Sequence, residues 1–352
     1  MPLWLYVLIV VVIALVTYFR TSGEAEAGDP QPPAASAAAQ QTPADETLTV
    51  RFLDVGQGDS ILLACGDETM LIDGGPVEEG QFLVSRLNRL DVTELTYVIN
   101  THPDEDHCGG LAAVLAKYPA EHVYSSVTEY TTKVFSNVVK YADEQGHPVE
   151  VPQTGDSWTL GSASVQVIGP VQTYPDPNNG SLVLRVDYGG TSFLFTGDME
   201  QNAEADLMDS GANVRADVLK VGHHGSPTSS SEAFLEAVAP SIAVISVGED
   251  NDYGHPSADV LARLEALGTT IYRTDTQGEI IITSDGQTLT VTTDPTSREP
   301  AAGKDAPFIG NRNSMIVHSA NCAKLPGEDN RVYFNTAEEA EEYGYQKHTC
   351  IK

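Results

Sequence analysis

Apolar and polar positions alternate with a period of two from Leu48 to Leu53, the spacing of a strand with one buried face. Short apolar runs of strand length follow at Ile61–Ala64, Met70–Ile72 and Leu95–Ile99. More appear at Val165–Ile168, Leu182–Val186, Ser192–Phe195, Val218–Val221 and Ile242–Val247. Helix-like stretches fall near Phe82–Leu90, Leu111–Leu115, Val134–Glu144, Ser230–Val238 and Ala258–Leu267. Hairpin-like strand pairs interleaved with helices predict one large α/β domain over residues 47–293, not a strict βαβ repeat.

The N-terminal pattern is different. Pro2–Phe19 is apolar almost throughout and ends at Arg20, about the shortest run that spans a bilayer as one hydrophobic helix. Two readings of residues 1–20 stay open: a membrane anchor, or a signal segment with Ala25-Glu26-Ala27 as its small-residue cleavage site. Residues 21–46 are rich in Ala, Pro, Gln, Glu and Ser. They hold too little apolar mass for a core and read as a disordered linker. An apolar segment followed by a tether places the remainder outside the cytoplasm, membrane-anchored or secreted. After the large domain, residues 294–306 form a second polar linker with Pro295, Pro300 and Gly303, and residues 307–352 a small terminal module.

Composition narrows the function. The 352 residues carry 19 Lys+Arg against 50 Asp+Glu, a formal net charge of −31. Residues 47–293 hold 11 and 36 of these, net −25, whereas 307–352 hold 5 and 6, net −1. No broad basic field exists for non-specific nucleic-acid binding. An enzyme that meets phosphate through bound cations is still allowed, because the metal is then the local positive charge. Four cysteines exclude a disulfide-dense scaffold. Of these, Cys65 and Cys108 read as small buried residues.

The densest chemistry lies in Asn100-Thr101-His102-Pro103-Asp104-Glu105-Asp106-His107, between a strand and the helix start at Gly109-Gly110. Three acids and two histidines this close repel one another without a cation. Mixed oxygen and imidazole donors suit Mn²⁺, Zn²⁺ or Fe²⁺. The competing reading is a polar loop with solvated carboxylates. Two downstream strands end in similar chemistry: Phe193–Phe195 in Thr196-Gly197-Asp198, and Val218–Val221 in Gly222-His223-His224-Gly225-Ser226. Donors at strand ends are held on rigid elements, as a metal site requires.

These segments resemble the metallo-β-lactamase-fold hydrolases. They are most similar to the ComEC-type branch, the extracytoplasmic domain of DNA-uptake (competence) proteins and its free-standing relatives. The resemblance spans about 47–293. It rests on Phe52-Leu53-Asp54-Val55-Gly56-Gln57-Gly58-Asp59-Ser60, Leu71-Ile72-Asp73-Gly74-Gly75, the His102–His107 segment, and Asn178-Asn179 with Ser181–Leu184. It also rests on Thr196-Gly197-Asp198, His223-His224-Gly225-Ser226 and Gly254-His255-Pro256. It implies an αββα sandwich with two divalent metal ions, Mn²⁺ or Zn²⁺, at one edge. The implied ligands are His102, Asp104, Asp106, His107, the bridging Asp198 and His223, with His224 competing for the last place. Asp104 stands where the family has a second His. Asn179 stands where it usually has another, and is a weak ligand or substrate contact. The oxygen-rich site that results favours Mn²⁺ or Mg²⁺ over Zn²⁺. Asp54, Gln57, Asp59 and Asp73 are implied to sit under or beside the metals, with turn capping as their plain alternative. The implied catalytic set is Asp106 with His224 and His255, either histidine protonating the leaving oxygen. Cys108 adjoins His107 but reads as a buried side chain, not a ligand.

The terminal module resembles the Ada-type zinc-binding modules appended to bacterial nucleases. It carries His318-x₃-Cys322, a helix over Ala337–Glu342 and His348-x-Cys350. The family's final Cys-x₂-Cys is not reproduced, since Ile351 falls at its second position. A structural Zn²⁺ on His318, Cys322, His348 and Cys350 and a Cys322–Cys350 disulfide are both open. About 45 residues need one staple or the other.

The leading expectation is an extracytoplasmic metal-dependent phosphodiesterase or nuclease acting on DNA or RNA. The alternatives are hydrolysis of a small ester, amide or lactam, and a non-catalytic surface binding protein. One apolar segment does not build a DNA channel. No protein partner is deducible.

Overall fold

The computed structural model describes residues 46–298 and 304–351. The N-terminal apolar segment, the tether up to residue 45 and linker residues 299–303 lie outside the described residues. No helix among the described residues is long and apolar enough to cross a membrane.

Two seven-stranded sheets face each other. The first contains β1 (Leu48–Phe52), β2 (Ile61–Cys65), β3 (Glu68–Ile72), β4 (Leu95–Asn100) and β5 (Ala120–Ser125). The second contains β6 (Ser157–Leu160), β7 (Ala163–Gly169), β8 (Val183–Tyr188), β9 (Thr191–Phe195), β10 (Val218–Lys220), β11 (Ile242–Ile245) and β12 (Thr270–Arg273). The chain then returns to the first sheet with β13 (Glu279–Ser284) and β14 (Leu289–Asp294), giving the orders β14-β13-β1-β2-β3-β4-β5 and β12-β11-β10-β9-β8-β7-β6.

Period-two patterning accounts for the inner layer. Leu48, Val50 and Phe52 are fully buried while Thr49 and Arg51 are half-buried, and they meet Phe193 and Phe195 of the opposite sheet in one core. The sheets' outer faces are covered by helices. α1 (Gly80–Arg89), α2 (Glu105–Cys108), α3 (Leu111–Leu115) and α4 (Lys133–Glu144) belong to the first side. α5 (Gln201–Asp209), α6 (Glu232–Val238) and α7 (Ala258–Ala266) cover the second. α4 shows why such helices form: Thr132 caps it by accepting from Phe135 N, and Phe135, Val138 and Ala142 place one apolar stripe inward. The architecture is therefore an αββα sandwich. One acid is fully buried in the first sheet: Glu279 accepts from Arg51 at 2.9 Å and from Arg86 at 2.8 Å, and a buried carboxylate is tolerable only when paired in this way.

The terminal module is a separate small sheet of β15 (Phe308–Asn311), β16 (Ile316–Ser319), β17 (Arg331–Phe334) and β18 (Gln346–Lys347), in the order β17-β15-β16-β18. After a short turn α8 (Thr274–Gln277) earlier in the chain, α9 (Ala337–Glu342) closes it over Val317, Phe334, Ala340 and Tyr345. The module rests on α1. The Arg89 guanidinium lies 3.9 Å over the Tyr343 ring and donates to its hydroxyl at 2.7 Å. Gly344 packs so near Gln81 that a Cβ there would stand 3.3 Å from the Gln81 carbonyl. The preceding Arg298 lies 5.0 Å over Phe82, and donates to the Asp54 carbonyl at 2.7 Å and to Glu79 at 2.6 Å.

Candidate metal centre

The carboxyl ends of β3, β4, β9 and β10 converge at one edge of the sandwich, and each delivers part of the site. β4 runs into Thr101, His102 and then α2, which carries Asp106 and His107. β9 runs into the left-handed Gly197 and then Asp198. Only glycine fits at 197, because a Cβ would press within 3.0 Å of Ser181 and Thr101. The Ser181 hydroxyl in turn accepts from Asp198 N at 3.1 Å. After β10, His223 and His224 are both left-handed, at φ 50° and 54°, a strained choice for two non-glycine residues. That double turn sends neighbouring imidazoles to different places: His224 is buried, and the side chain of His223 is 23% exposed.

Asp106, His107, Asp198 and His224 bring one donor atom each within 4.8 Å of one another. Asp198 Oδ1 lies 3.2 Å from His107 Nε2, and Asp198 Oδ2 lies 3.5 Å from His224 Nε2, which is also 3.2 Å from Asp106. His107 Nε2 and Asp198 Oδ1 are buried without a hydrogen-bond partner. Buried polar atoms are normally satisfied, so orphaned donors facing one another fit a divalent cation. His102 and Asp104 form a looser pair beside this cluster. Their nearest atoms are 3.7 Å apart, the His102 ring is 4.1 Å from that of His107, and His102 Nε2 is likewise without a partner.

Electrostatics agree with this reading. Burial pushes the His102 pKa down to about 4, helped by neighbouring His107, so its lone pair is free. Burial also opposes charge on His107, but the carboxylates of Asp198, Asp73 and Asp106 outweigh it and hold its pKa well above the imidazole range. His224 behaves alike: burial is outweighed by Asp198, Asp106 and Asp59, and the pKa stands at about 10. The same histidines hold Asp198 far below the carboxylate range despite its burial. Protonated imidazoles thus stand where a cation belongs.

A buried layer aims these donors. Asp73, left-handed at φ 58°, accepts from Thr101 N and Oγ1 at 2.7 Å each and from Asn100 Nδ2 at 3.2 Å, and lies 2.8 Å from His107 Nδ1. That contact leaves His107 Nε2 to face the cluster. His224 Nδ1 donates to the Ser246 carbonyl at 2.9 Å and lies 3.4 Å from Asp59. Asp59 is paired at 2.7 Å with the fully buried Lys220. Burial works against its charge, but Lys220 and His224 hold the Asp59 carboxyl well below its usual range.

Several residues read from the sequence take other places. His224, not His223, completes the four-donor cluster, with Nδ1 turned to the Ser246 carbonyl and Nε2 turned to Asp106 and Asp198. His223 stands at the rim, its Nε2 3.7 Å from Asp198 and its Nδ1 3.5 Å from Glu200. His255 lies farther out, its ring 5.7 Å from that of His223. Asn179 stays outside the cluster and donates to Glu200 at 3.2 Å. Asp54 accepts from Gly56 N at 3.2 Å and is paired with Arg298, while Gln57 accepts from Gly248 N at 3.2 Å and lines the same cavity as Asp106. Burial raises the Cys108 thiol to about 12 and its sulfur donates to the Pro103 carbonyl, so it is no ligand. Thr101 and Ser181 stand in motifs read from the sequence but without a role there, and Lys220 and Ser246 were not singled out. Lys220 had a signal: a cation inside an apolar strand requires a buried anion.

In the terminal module, His318, Cys322, His348 and Cys350 also fall within 4.8 Å of one another. The two cysteines are free thiols, the histidine rings stack 4.3 Å apart, and His318 Nδ1 has no partner. Two thiols and two imidazoles are a zinc donor set.

A family model described as the metallo-beta-lactamase superfamily matches residues 53–249. ComE operon protein 3 of Bacillus subtilis (strain 168) is 33% identical over 252 residues, 66% of this chain and 32% of that protein. Competence protein ComA of Neisseria gonorrhoeae is 35% identical over 239 residues, 67% of this chain and 32% of that protein. The chain thus spans about a third of the length of these relatives. Among solved structures, the metallo-beta-lactamase fold protein YhfI from Bacillus subtilis aligns with a TM-score of 0.45 at 12% identity, covering 70% of this chain and 100% of that one.

Proposed function

We propose that this chain, which belongs to the metallo-beta-lactamase superfamily, is a metal-dependent hydrolase that cleaves phosphodiester bonds in nucleic acid. The observation that carries the reading is the cluster of Asp106, His107, Asp198 and His224 at an open sheet edge, with His102 and Asp104 beside it. Half of these six donors are carboxylate oxygens, a hard set suited to Mn²⁺ or Mg²⁺ and to phosphoryl chemistry. Divalent ions held there supply Lewis acidity toward a phosphoryl oxygen and a water nucleophile near neutral pH.

The residues do the rest. Asp73 and Ser246 fix the orientation of His107 and His224. Asp198 lies within reach of both and is suited to serve two ions. His223, with Glu200 behind its Nδ1, and His255 face the space where substrate arrives, and His223 is placed to give the leaving oxygen its proton. The names of the relatives, a competence protein and a ComE operon protein, support DNA as the polymer. The apolar 1–20 segment supports action outside the cytoplasm, anchored or released. The four-donor set of the terminal module supports a structural Zn²⁺ of Ada type.

The test is hydrolysis of single- and double-stranded DNA, RNA and bis(p-nitrophenyl) phosphate by the full chain with Mn²⁺, Mg²⁺ or Zn²⁺, alongside elemental analysis. Divalent-dependent cleavage lost in Asp198→Ala is expected. No phosphodiester cleavage with the metal sites filled overturns the reading in favour of a small ester, amide or lactam.

A further inference from the structure

Tyr253 is 72% exposed, more than any other large apolar side chain among the described residues. Its ring stacks on His255 at 5.7 Å and 20°. His255 meets His223 edge-on at 5.7 Å, and His223 meets His224 at 6.2 Å. A continuous row of rings therefore runs from solvent to the donor cluster. The loop that carries Tyr253 is braced: Asn251 Nδ2 donates to the Gly248 and His255 carbonyls at 2.9 and 2.7 Å, and Asn251 Oδ1 accepts from His255 N at 3.0 Å. The loop backbone on either side of the ring is held by these bonds, which lowers the ordering cost of binding.

Tyr253 and Asp106 line the same cavity, of about 500 Å³. Glu78, Glu79 and Glu105 line it as well, Glu79 paired with Arg298 at 2.6 Å, and no Lys or Arg is among its lining residues. Carboxylates repel backbone phosphates but not the face of a neutral heterocycle, for which an exposed aromatic ring is a favourable support.

We infer that Tyr253 is a stacking platform that seats one unpaired nucleobase of the substrate beside the metal centre, so that the substrate is a single strand. The inference rests on the phosphodiesterase reading and deepens it. The phosphate adjoining the seated base reaches the donor cluster, while the acidic wall excludes further phosphates from the cavity. A paired base brings its complementary strand's phosphates toward Glu78 and Glu105, so duplex is the poorer substrate.

The experiment compares the full chain with Tyr253→Phe and Tyr253→Ala at saturating Mn²⁺. The substrates are a single-stranded oligonucleotide, the same strand with tetrahydrofuran abasic residues, and the corresponding duplex. Wild type should cleave the base-bearing strand with a kcat/KM at least about fivefold above the abasic strand, carried by KM, in keeping with the measured strength of base–aromatic stacking. Tyr253→Phe should keep that ratio and Tyr253→Ala should bring it near one. Equal cleavage of base-bearing and abasic strands by wild type, preference for the duplex, or an unchanged ratio in Tyr253→Ala overturns the platform while leaving the phosphodiesterase reading intact. Cleavage of no strand by metal-loaded wild type removes that reading, and the platform with it.

Discussion

His107 is aimed by Asp73, whose carboxylate lies 2.8 Å from Nδ1 and is fully buried under four donors, His107 among them. Asp73→Asn keeps the volume but weakens the hold on the imidazole and on its tautomer. Divalent affinity should fall about 10- to 100-fold, read by chelator competition, with the thermal midpoint of the metal-free protein as the control for folding. Unchanged affinity contradicts the aiming role.

His224 and His223 are separable. His224→Ala removes one of four clustered donors and should lose most bound catalytic metal. His223→Ala should retain metal and lower kcat, because it lies at the rim, 3.7 Å from Asp198. Elemental analysis with kinetics distinguishes them, and the reverse outcome assigns the ligand to His223.

Metal uptake should release protons. The His224 pKa stands at about 10 and that of His107 is raised in the same direction by buried carboxylates. Both are therefore protonated at neutral pH in the metal-free protein, and a ligating imidazole is neutral. Binding at pH 7 should release about two protons, and affinity should rise with pH. For stability the sign is opposite. A histidine pKa raised above its unfolded value of about 6.5 contributes fully below that pH, and the contribution is lost as pH rises through about 10. The metal-free protein should therefore have a lower Tm at pH 10 than at pH 7. Calorimetry in buffers of different protonation enthalpy counts the protons, and a count of zero rules the scheme out.

The terminal tetrad predicts its own metal. One Zn²⁺ per chain should vanish in Cys322→Ser or His318→Ala while divalent ions remain at the Asp198 centre. Reductant should leave the zinc in place, since Cys322 and Cys350 are free thiols. Elemental analysis of each variant reads both sites. A disulfide on mass spectrometry of the alkylated protein contradicts the zinc site.

Most of the framework was legible because one-sided burial writes itself as periodicity. Leu48–Phe52 alternates, α3 falls at the residues its apolar run marks, and the His102–His107 segment announces its chemistry by charge density alone. Other features left weaker traces. β12 is only half-buried, so Thr270–Arg273 lacks a clear pattern. The choice between His223 and His224 depends on two left-handed residues after β10, a backbone event that side-chain identity does not encode. Asp54 belongs to a strand-end motif yet answers to Arg298, 244 positions away. Such a pairing exists only in three dimensions.

The contact between α1 and the terminal sheet has a mechanical consequence. Arg89 beneath Tyr343, and Gly344 against Gln81, seat the module on the helix that begins directly after Glu79, on the cavity wall. The terminal sheet and its four metal-donor side chains are thereby held at a fixed place relative to that wall, through the helix they share.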